Sequence, residues 1–237
     1  MKHTFFSVQA TYSHAQVSLF RDGDCIDTLH LNDQKASSHL IPSFQSLLNK
    51  HQLTIEDIGF IAIDQGPGAF TSLRTAIATV NGIAFTKKVR VIGIDGLDAL
   101  MYEGQELVND LQKDTAFVAL LNAYNNDVYF AISYPGSDTV EKGCVKIDVV
   151  SEMLVSGRHK KFVFFGNGAF LHEQILKTSL GEQACTFLPI QTPSARTIGL
   201  RALKSLDEGG MLSDSLQPNY MKTQYFAVQK PFNVPQT

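Results

Sequence analysis

One order of segments occurs twice in this chain: three strand-like stretches, then helix and strand in alternation. That repeat restricts the fold more than any other feature. In the first pass Thr4–Val8, Ala15–Arg21 and Cys25–Leu31 carry the strand pattern, with Asp22-Gly23 as the hairpin turn between the last two. Leu40, Ile41, Phe44, Leu47 and Leu48 fall at helical spacing, which predicts a helix over Ser38–Asn49 with Ser37 or Ser38 as its cap and Pro42 in its first turn. Strands at Gly59–Asp64 and Val89–Ile94 follow, with helices at Thr71–Phe85 and Gly96–Leu107.

The second pass is weaker. Thr115–Leu121, Asp127–Tyr134, Cys144–Val149 and Phe162–Phe165 read as strands, with a turn at Pro135-Gly136-Ser137-Asp138. Ala169–Lys177 and Ser194–Leu206 read as helices, the last capped by Ser194. The prediction is a duplicated α/β domain with a mixed sheet of five-stranded type in each half, flanked by helices. The halves are expected at 1–110 and 111–216, with the boundary near Asn109–Lys113 and a tail over 217–237. The tail carries Tyr220, Tyr225, Phe226 and Phe232, apolar enough to dock on the body or on a partner, and is expected to be mobile past Val228.

The densest local signal is Gly66-Pro67-Gly68-Ala69-Phe70-Thr71-Ser72-Leu73-Arg74, a short glycine turn joining a strand to a helix. Gly66 and Gly68 allow backbone angles that a side chain penalises, Pro67 stiffens the turn, and Thr71 or Ser72 is expected to cap the helix. Such a turn exposes backbone N–H groups where an anion could bind. It is not a Walker A loop, because no Gly-Lys-Ser/Thr follows, and it lacks the Gly-x-Gly-x-x-Gly spacing of a dinucleotide fold. Turn geometry and close helix–strand packing are the favoured role for Gly66, Pro67 and Gly68. In the helix, Leu73, Ile77, Val80 and Ala84 form an apolar stripe suited to a sheet. Thr75, Ala78, Thr79 and Gly82 form a second face of small residues, fit either for a partner helix or for a neighbouring helix of the same chain.

With 237 residues, 44% hydrophobic and 18% charged, the chain has the composition of an ordinary globular protein. Its net charge of −3 and lack of a Lys/Arg cluster give no basic face for unaided nucleic-acid binding. Cys25, Cys144 and Cys185 lie far apart without Cys-x-x-Cys spacing, which suits a reducing compartment. Met1–Ala15 reads as a strand and not as a signal peptide, and no stretch has the length of a membrane span. A cytoplasmic protein without a membrane association is expected.

The glycine turn and its helix, taken with Val91-Ile92-Gly93-Ile94-Asp95-Gly96-Leu97-Asp98-Ala99-Leu100, closely resemble the TsaB (YeaZ) family, subunits of the bacterial machinery that makes threonylcarbamoyladenosine in tRNA. The family pattern is Gly-Pro-Gly-Ser-Phe-Thr-Gly-Leu-Arg, and here Ala69 and Ser72 replace two small positions. Asn122-Ala123-Tyr124, Asp127-Val128-Tyr129, Gly166-Asn167-Gly168-Ala169 and Pro218-Asn219-Tyr220-Met221-Lys222 echo other family segments more loosely. The resemblance implies the duplicated actin-like, Hsp70-like domain (ASKHA, ribonuclease H-like). One departure concerns the usual opening Asp-Thr-Ser-Thr, which reads Gln9-Ala10-Thr11-Tyr12 here. An Asp there helps to hold a metal–phosphate group in the wider superfamily, and Gln9 has no charge for that. Gln9 is expected to be a buried hydrogen-bonding residue and Asp64 a turn or cap residue.

The related catalytic subunit, TsaD, carries a metal-binding His-x-x-x-His whose positions here are Gly96 and Leu100, neither of them a ligand. The seven histidines contain no i, i+4 pair, and no nucleophile elbow or zinc motif occurs. No catalytic, cofactor-binding or metal residue is assigned. The resemblance implies a noncatalytic subunit that activates a TsaD-like partner, joined by a TsaE-type ATPase, with tRNA reached only through the complex. Its implied contact residues are Leu40, Phe44, Leu47, Thr71, Arg74, Thr75, Ala78, Thr79 and Gly82, and the same helices are expected to pair two copies when the partner is absent. A stand-alone actin-fold phosphotransferase or hydrolase, resting on the glycine turns at Gly66–Gly68 and Gly166–Gly168, stays open as the alternative.

Overall fold

The computed structural model describes residues 4–12, 14–31, 36–108, 114–137, 139–157 and 159–221, with the side chains of 36–38 outside that description. The expected caps Ser37 and Ser38, the boundary at Asn109–Lys113, Asp138 and the tail from Lys222 onward lie outside the described residues or side chains.

The first sheet holds β1 (Thr4–Gln9), β2 (Ala15–Arg21), β3 (Asp24–Leu31), β4 (Phe60–Asp64) and β5 (Arg90–Ile94) in the order β3-β2-β1-β4-β5. β1, β2 and β3 pair antiparallel, whereas β4 and β5 join parallel to β1. Asp22 and Gly23 both take positive φ, 55° and 95°, as a tight hairpin requires. The second sheet holds β6 (Thr115–Asn122), β7 (Asp127–Ser133), β8 (Val140–Lys146), β9 (Lys161–Phe165) and β10 (Cys185–Phe187). Its order, β8-β7-β6-β9-β10, and its parallel and antiparallel pairings repeat those of the first sheet. The duplicated α/β fold read from the segment order is therefore present in the strand connectivity itself.

Central strands buried on both faces explain why the apolar runs are continuous. On one face of the first sheet Phe6, Val8 and Leu19 meet helices α1 (Ala36–Lys50) and α2 (Phe70–Lys87). On the other, Phe5 stacks between Phe20 and Phe60 at 4.7 and 4.3 Å. The helix over Phe5, Phe20 and Phe60 is α7 (Ala195–Asp207), through Ile198 and Ala202. Conversely α3 (Gly96–Glu106), which follows the first sheet in the chain, lays Leu97, Leu100 and Met101 against Phe117, Val163 and Phe165 of the second. The two halves thus exchange helices. The segment 111–216, read from the sequence as one half, includes a helix that covers the opposite sheet.

Each exchanged helix carries a glycine under a phenylalanine ring. A Cβ placed on Gly104 of α3 would lie 2.5 Å from Phe165, and one on Gly199 of α7 would lie 2.3 Å from Phe20.

Two local expectations need correction here, and the sequence pattern does not predict one strand, β10. Cys144–Val149 is not one strand: β8 ends at Lys146 and α4 (Ile147–Ser156) begins there. The β-branched run mimics a strand, but Ile147, Val150, Ser151 and Leu154 are the buried stripe of a helix. Ala169–Lys177 is not one helix, because the chain breaks at His172 (φ −113°) between α5 (Asn167–Leu171) and α6 (Glu173–Leu180). β10 has three residues, too few to show a period.

Adding one methyl group at either glycine forces a ring out of a packed core. Gly199→Ala and Gly104→Ala are each expected to lower stability by about 1–3 kcal/mol, read as a fall in the urea midpoint at constant slope.

Candidate functional site

β4 ends in Asp64, and the chain turns through Gly66 (φ 103°), a cis Gly66–Pro67 peptide and Gly68 into α2. The turn is filled by its own protein. A Cβ on Gly68 would lie 2.6 Å from the Thr11 side chain, and one on Gly66 would lie 2.9 Å from Leu73 and 3.1 Å from the Asn219 carbonyl. Its amides are also engaged: Gly66 N–H donates to Asp64 Oδ1 at 2.9 Å and Ala69 N–H to the Thr11 carbonyl at 2.8 Å. The glycines serve backbone geometry and close packing. The second turn is filled in the same way: Gly166 and Asn167 N–H donate to the Ile190 and Gln191 carbonyls, and a Cβ on Gly166 would lie 2.1 Å from the Leu120 carbonyl. α2 begins at Phe70 with Ala69 as its N-cap and no side-chain cap, so Thr71 and Ser72 sit inside the first turn instead of capping it. The Ser194 cap is present, its hydroxyl accepting from Thr197 N–H.

Behind the turn lies a buried polar chain. Gln9 Nε2 donates to Thr11 Oγ1 at 3.1 Å, and Thr11 Oγ1 donates to Asp64 Oδ2 at 3.0 Å. All three residues are buried, and Gln9 Oε1 has no partner. Burial pushes the Asp64 carboxyl up to about 7, against the opposing pull of the Gly66 and Thr11 hydrogen bonds. Asp64 is thus a turn residue, and Gln9 the buried hydrogen-bonding residue expected. Gly96 and Leu100 do not fit a metal. Gly96 has no side chain and its Cβ space is taken by Asp64 Oδ1 at 2.5 Å, while Leu100 lies in the core under the second sheet. The sequence reading missed Asp95, which caps α3 by accepting from Leu97 and Asp98 N–H. Its signal, an acid before an apolar-periodic run, is present in the chain.

The expected contact residues divide in two. Leu40, Phe44 and Leu47 are buried against the first sheet, at 0%, 4% and 0% exposure, because the stripe that makes α1 amphipathic faces the core. They cannot touch a partner directly; Ile41, 59% exposed, and Gln45 stand on the open side of α1. On α2 the stripe Leu73, Ile77, Val80 and Ala84 is buried, while Thr71, Arg74, Ala78 and Gly82 are exposed and Thr75 and Thr79 are half-buried. Nothing among the described residues lies within 4 Å of a Cβ built on Gly82, so the small-residue face is open at that point. Beside it, Ile41, Gln45, Ile83 and Thr86 line a groove of about 430 Å³ between α1 and α2.

Residues 212–221 strap the outer side of this region. Ser213 pairs with Val91 on the edge of β5. Asn81 exchanges two hydrogen bonds with Leu216, and Gln65 receives one from Asn219 N–H. Arg74 is held between the Phe70 ring, 3.7 Å from its guanidinium carbon, and Tyr220, whose hydroxyl accepts from Arg74 Nε. The tail therefore docks on the body at least to Tyr220.

Compared with known proteins, residues 31–223 match the family model described as TsaD, tRNA N6-adenosine threonylcarbamoyltransferase. The chain belongs to this family. Its likeness to the TsaB (YeaZ) members holds as well. A protein named tRNA threonylcarbamoyladenosine biosynthesis protein TsaB from Buchnera aphidicola subsp. Schizaphis graminum is 23% identical, over 71% of this chain and 80% of its own length. A Bacillus subtilis protein of the same name is 21% identical, over 82% of this chain and 85% of its own. Among solved structures, an uncharacterized Pseudomonas aeruginosa protein described as similar to peptidase YeaZ superposes with a TM-score of 0.72 at 18% identity, covering 93% of this chain and 100% of that one. That likeness places the chain in the same duplicated actin-like fold.

Asp64 gives the site a pH signature. Its folded pKa lies above the ordinary carboxylate value, so the folded state holds a proton that the unfolded chain has released between about pH 4 and 7. Stability should fall as pH rises through that window. In Asp64→Asn the downward slope should flatten, which urea titrations at stepped pH measure.

Proposed function

We propose that this protein is a noncatalytic activating subunit for the formation of N6-threonylcarbamoyladenosine at tRNA adenosine 37, acting by binding a TsaD-like catalytic subunit. The observation that carries this reading is the small-residue face of α2, exposed at Ala78 and Gly82 and open at Gly82 among the described residues, in a member of the threonylcarbamoyltransferase family. Ala78 and Gly82 allow a partner helix to come close, and Ile41 and Phe85, 59% and 75% exposed, supply apolar area at its margins. Gly96 and Leu100 at the positions of the metal ligands, and glycine turns in which the Gly66, Ala69, Gly166 and Asn167 amides are already engaged, support an accessory role over a stand-alone phosphotransferase or hydrolase. Arg74 contributes through the stack it makes with Phe70 and Tyr220, and Leu40, Phe44 and Leu47 contribute by holding α1 in place.

A TsaE-like ATPase joins the pair, tRNA is reached through the complex, and two copies of this chain pair through α1 and α2 when the catalytic subunit is absent. The protein works in the cytoplasm; no helix among the described residues is long and apolar enough to cross a membrane.

Two experiments test this. Threonylcarbamoyl transfer to tRNA, reconstituted with the cognate TsaD-like, TsaE-like and adenylate-forming proteins, should require this chain, which should do nothing alone; equal transfer without it would refute the role. Ala78→Trp should abolish binding to the catalytic subunit in a titration while the monomer keeps its unfolding midpoint, and unchanged affinity would place the interface elsewhere.

A further inference from the structure

We propose that Tyr12 is a latch that fastens the two halves of the molecule together at the turn between β1 and β2. The turn after β1 and the turn after β6 occupy equivalent places in the two sheets, and here they meet. Tyr12 leaves the first sheet and sets its ring in the core of the second half, among Leu97, Phe117, Leu121 and Tyr129, with 8% of its surface exposed. Its hydroxyl donates to the Asn122 carbonyl at 2.8 Å, at the end of β6. A buried phenol needs such a partner, so the hydrogen bond fixes depth and direction while the ring supplies area.

The latch is braced from both sides. On the side of the first half, the Thr11 carbonyl accepts from Ala69 and the Thr11 hydroxyl bonds to Asp64, so the backbone that carries Tyr12 is tied to the glycine turn. On the side of the second half, Asn122 N–H donates to Asn167 Oδ1, and the turn beyond it is held by three successive residues with positive φ, Tyr124, Asn125 and Asn126. Side chains other than Gly rarely adopt that conformation, and a run of them persists only where surrounding contacts hold it. Lys142 of β8 adds a second tie, reaching both Asp95 and Asp98 at the start of α3. The two turns close on each other, and the Tyr12–Asn122 contact fastens at this point the body that the exchanged helices α3 and α7 interlock. The latch explains how a face on α2 and the surface of the second half could be presented together, and in that respect it rests on the proposed activating role.

Hydrogen exchange on the full chain tests it without any transfer assay, so its outcome is separate from that of the functional reading. Tyr12→Phe, which removes only the hydroxyl, should speed exchange of the amides over 122–127 by about tenfold, the order expected for one buried hydrogen bond. Tyr12→Ser should speed it further and extend the change to 97–101 of α3, while the strands within each sheet keep their protection. Wild-type exchange in both variants would overturn the latch. So would a Tyr12→Ser chain that loses protection throughout both sheets beside a Tyr12→Phe chain that matches wild type, since the ring would then be a core filler and no more.

Discussion

The exchange of α3 and α7 between the two sheets is the packing on which the rest depends. Each sheet is covered on one face by helices from its own half and on the other by a helix that the chain delivers from elsewhere, and the two delivered helices touch each other. Neither sheet can complete its core alone. Gly104 beneath Phe165 and Gly199 beneath Phe20 let these helices sit close enough for a ring to press on the helix backbone. A repeat that looks like two separable domains in the sequence is, physically, one interlocked body.

From that body the position of the candidate face follows. α2 spends its apolar stripe on the first sheet, the strap at 212–221 engages Asn81 and Arg74, and what is left outward is the line of small residues ending near Phe85. The glycine turn sets the start of this helix. Its Gly66 and Ala69 amides are bonded to Asp64 and Thr11, and Leu73 and Thr11 fill the space beside Gly66 and Gly68, so the turn gives the helix its direction. The small-residue face of α2 is the surface that the proposed assembly with a partner would use.

Much of this was legible in the chain. The strands of the first half, the Asp22-Gly23 hairpin and the Ser194 cap depend on local chemistry, and local chemistry is written in adjacent residues. The α2 faces were legible because Leu73, Ile77, Val80 and Ala84 keep one period over the whole helix. What was not legible came from tertiary context. The resemblance implied Leu40, Phe44 and Leu47 of α1 as contacts, although residues that make a helix amphipathic are those its own core consumes. The destination of α7 could not be read at all, because nothing within its sequence says which of two similar sheets it will cover. The run from Cys144 to Val149 misled for a different reason: β-branched residues suit a strand and also the first turn of a helix that packs on one.

The short pairing of Ser213 with Val91 has a consequence for solubility. β5 is one of the two outer strands of the first sheet, and an unpaired outer strand is a template for adding strands from other molecules. Here the returning chain satisfies the Val91 N–H and carbonyl, each at 2.8 Å. The opposite sheet ends in β10, only three residues long, which gives little to add to. A protein that leaves a helix face open for association therefore blunts one edge of each sheet, at β5 and β10, and leaves the longer strands β3 and β8 as the other two.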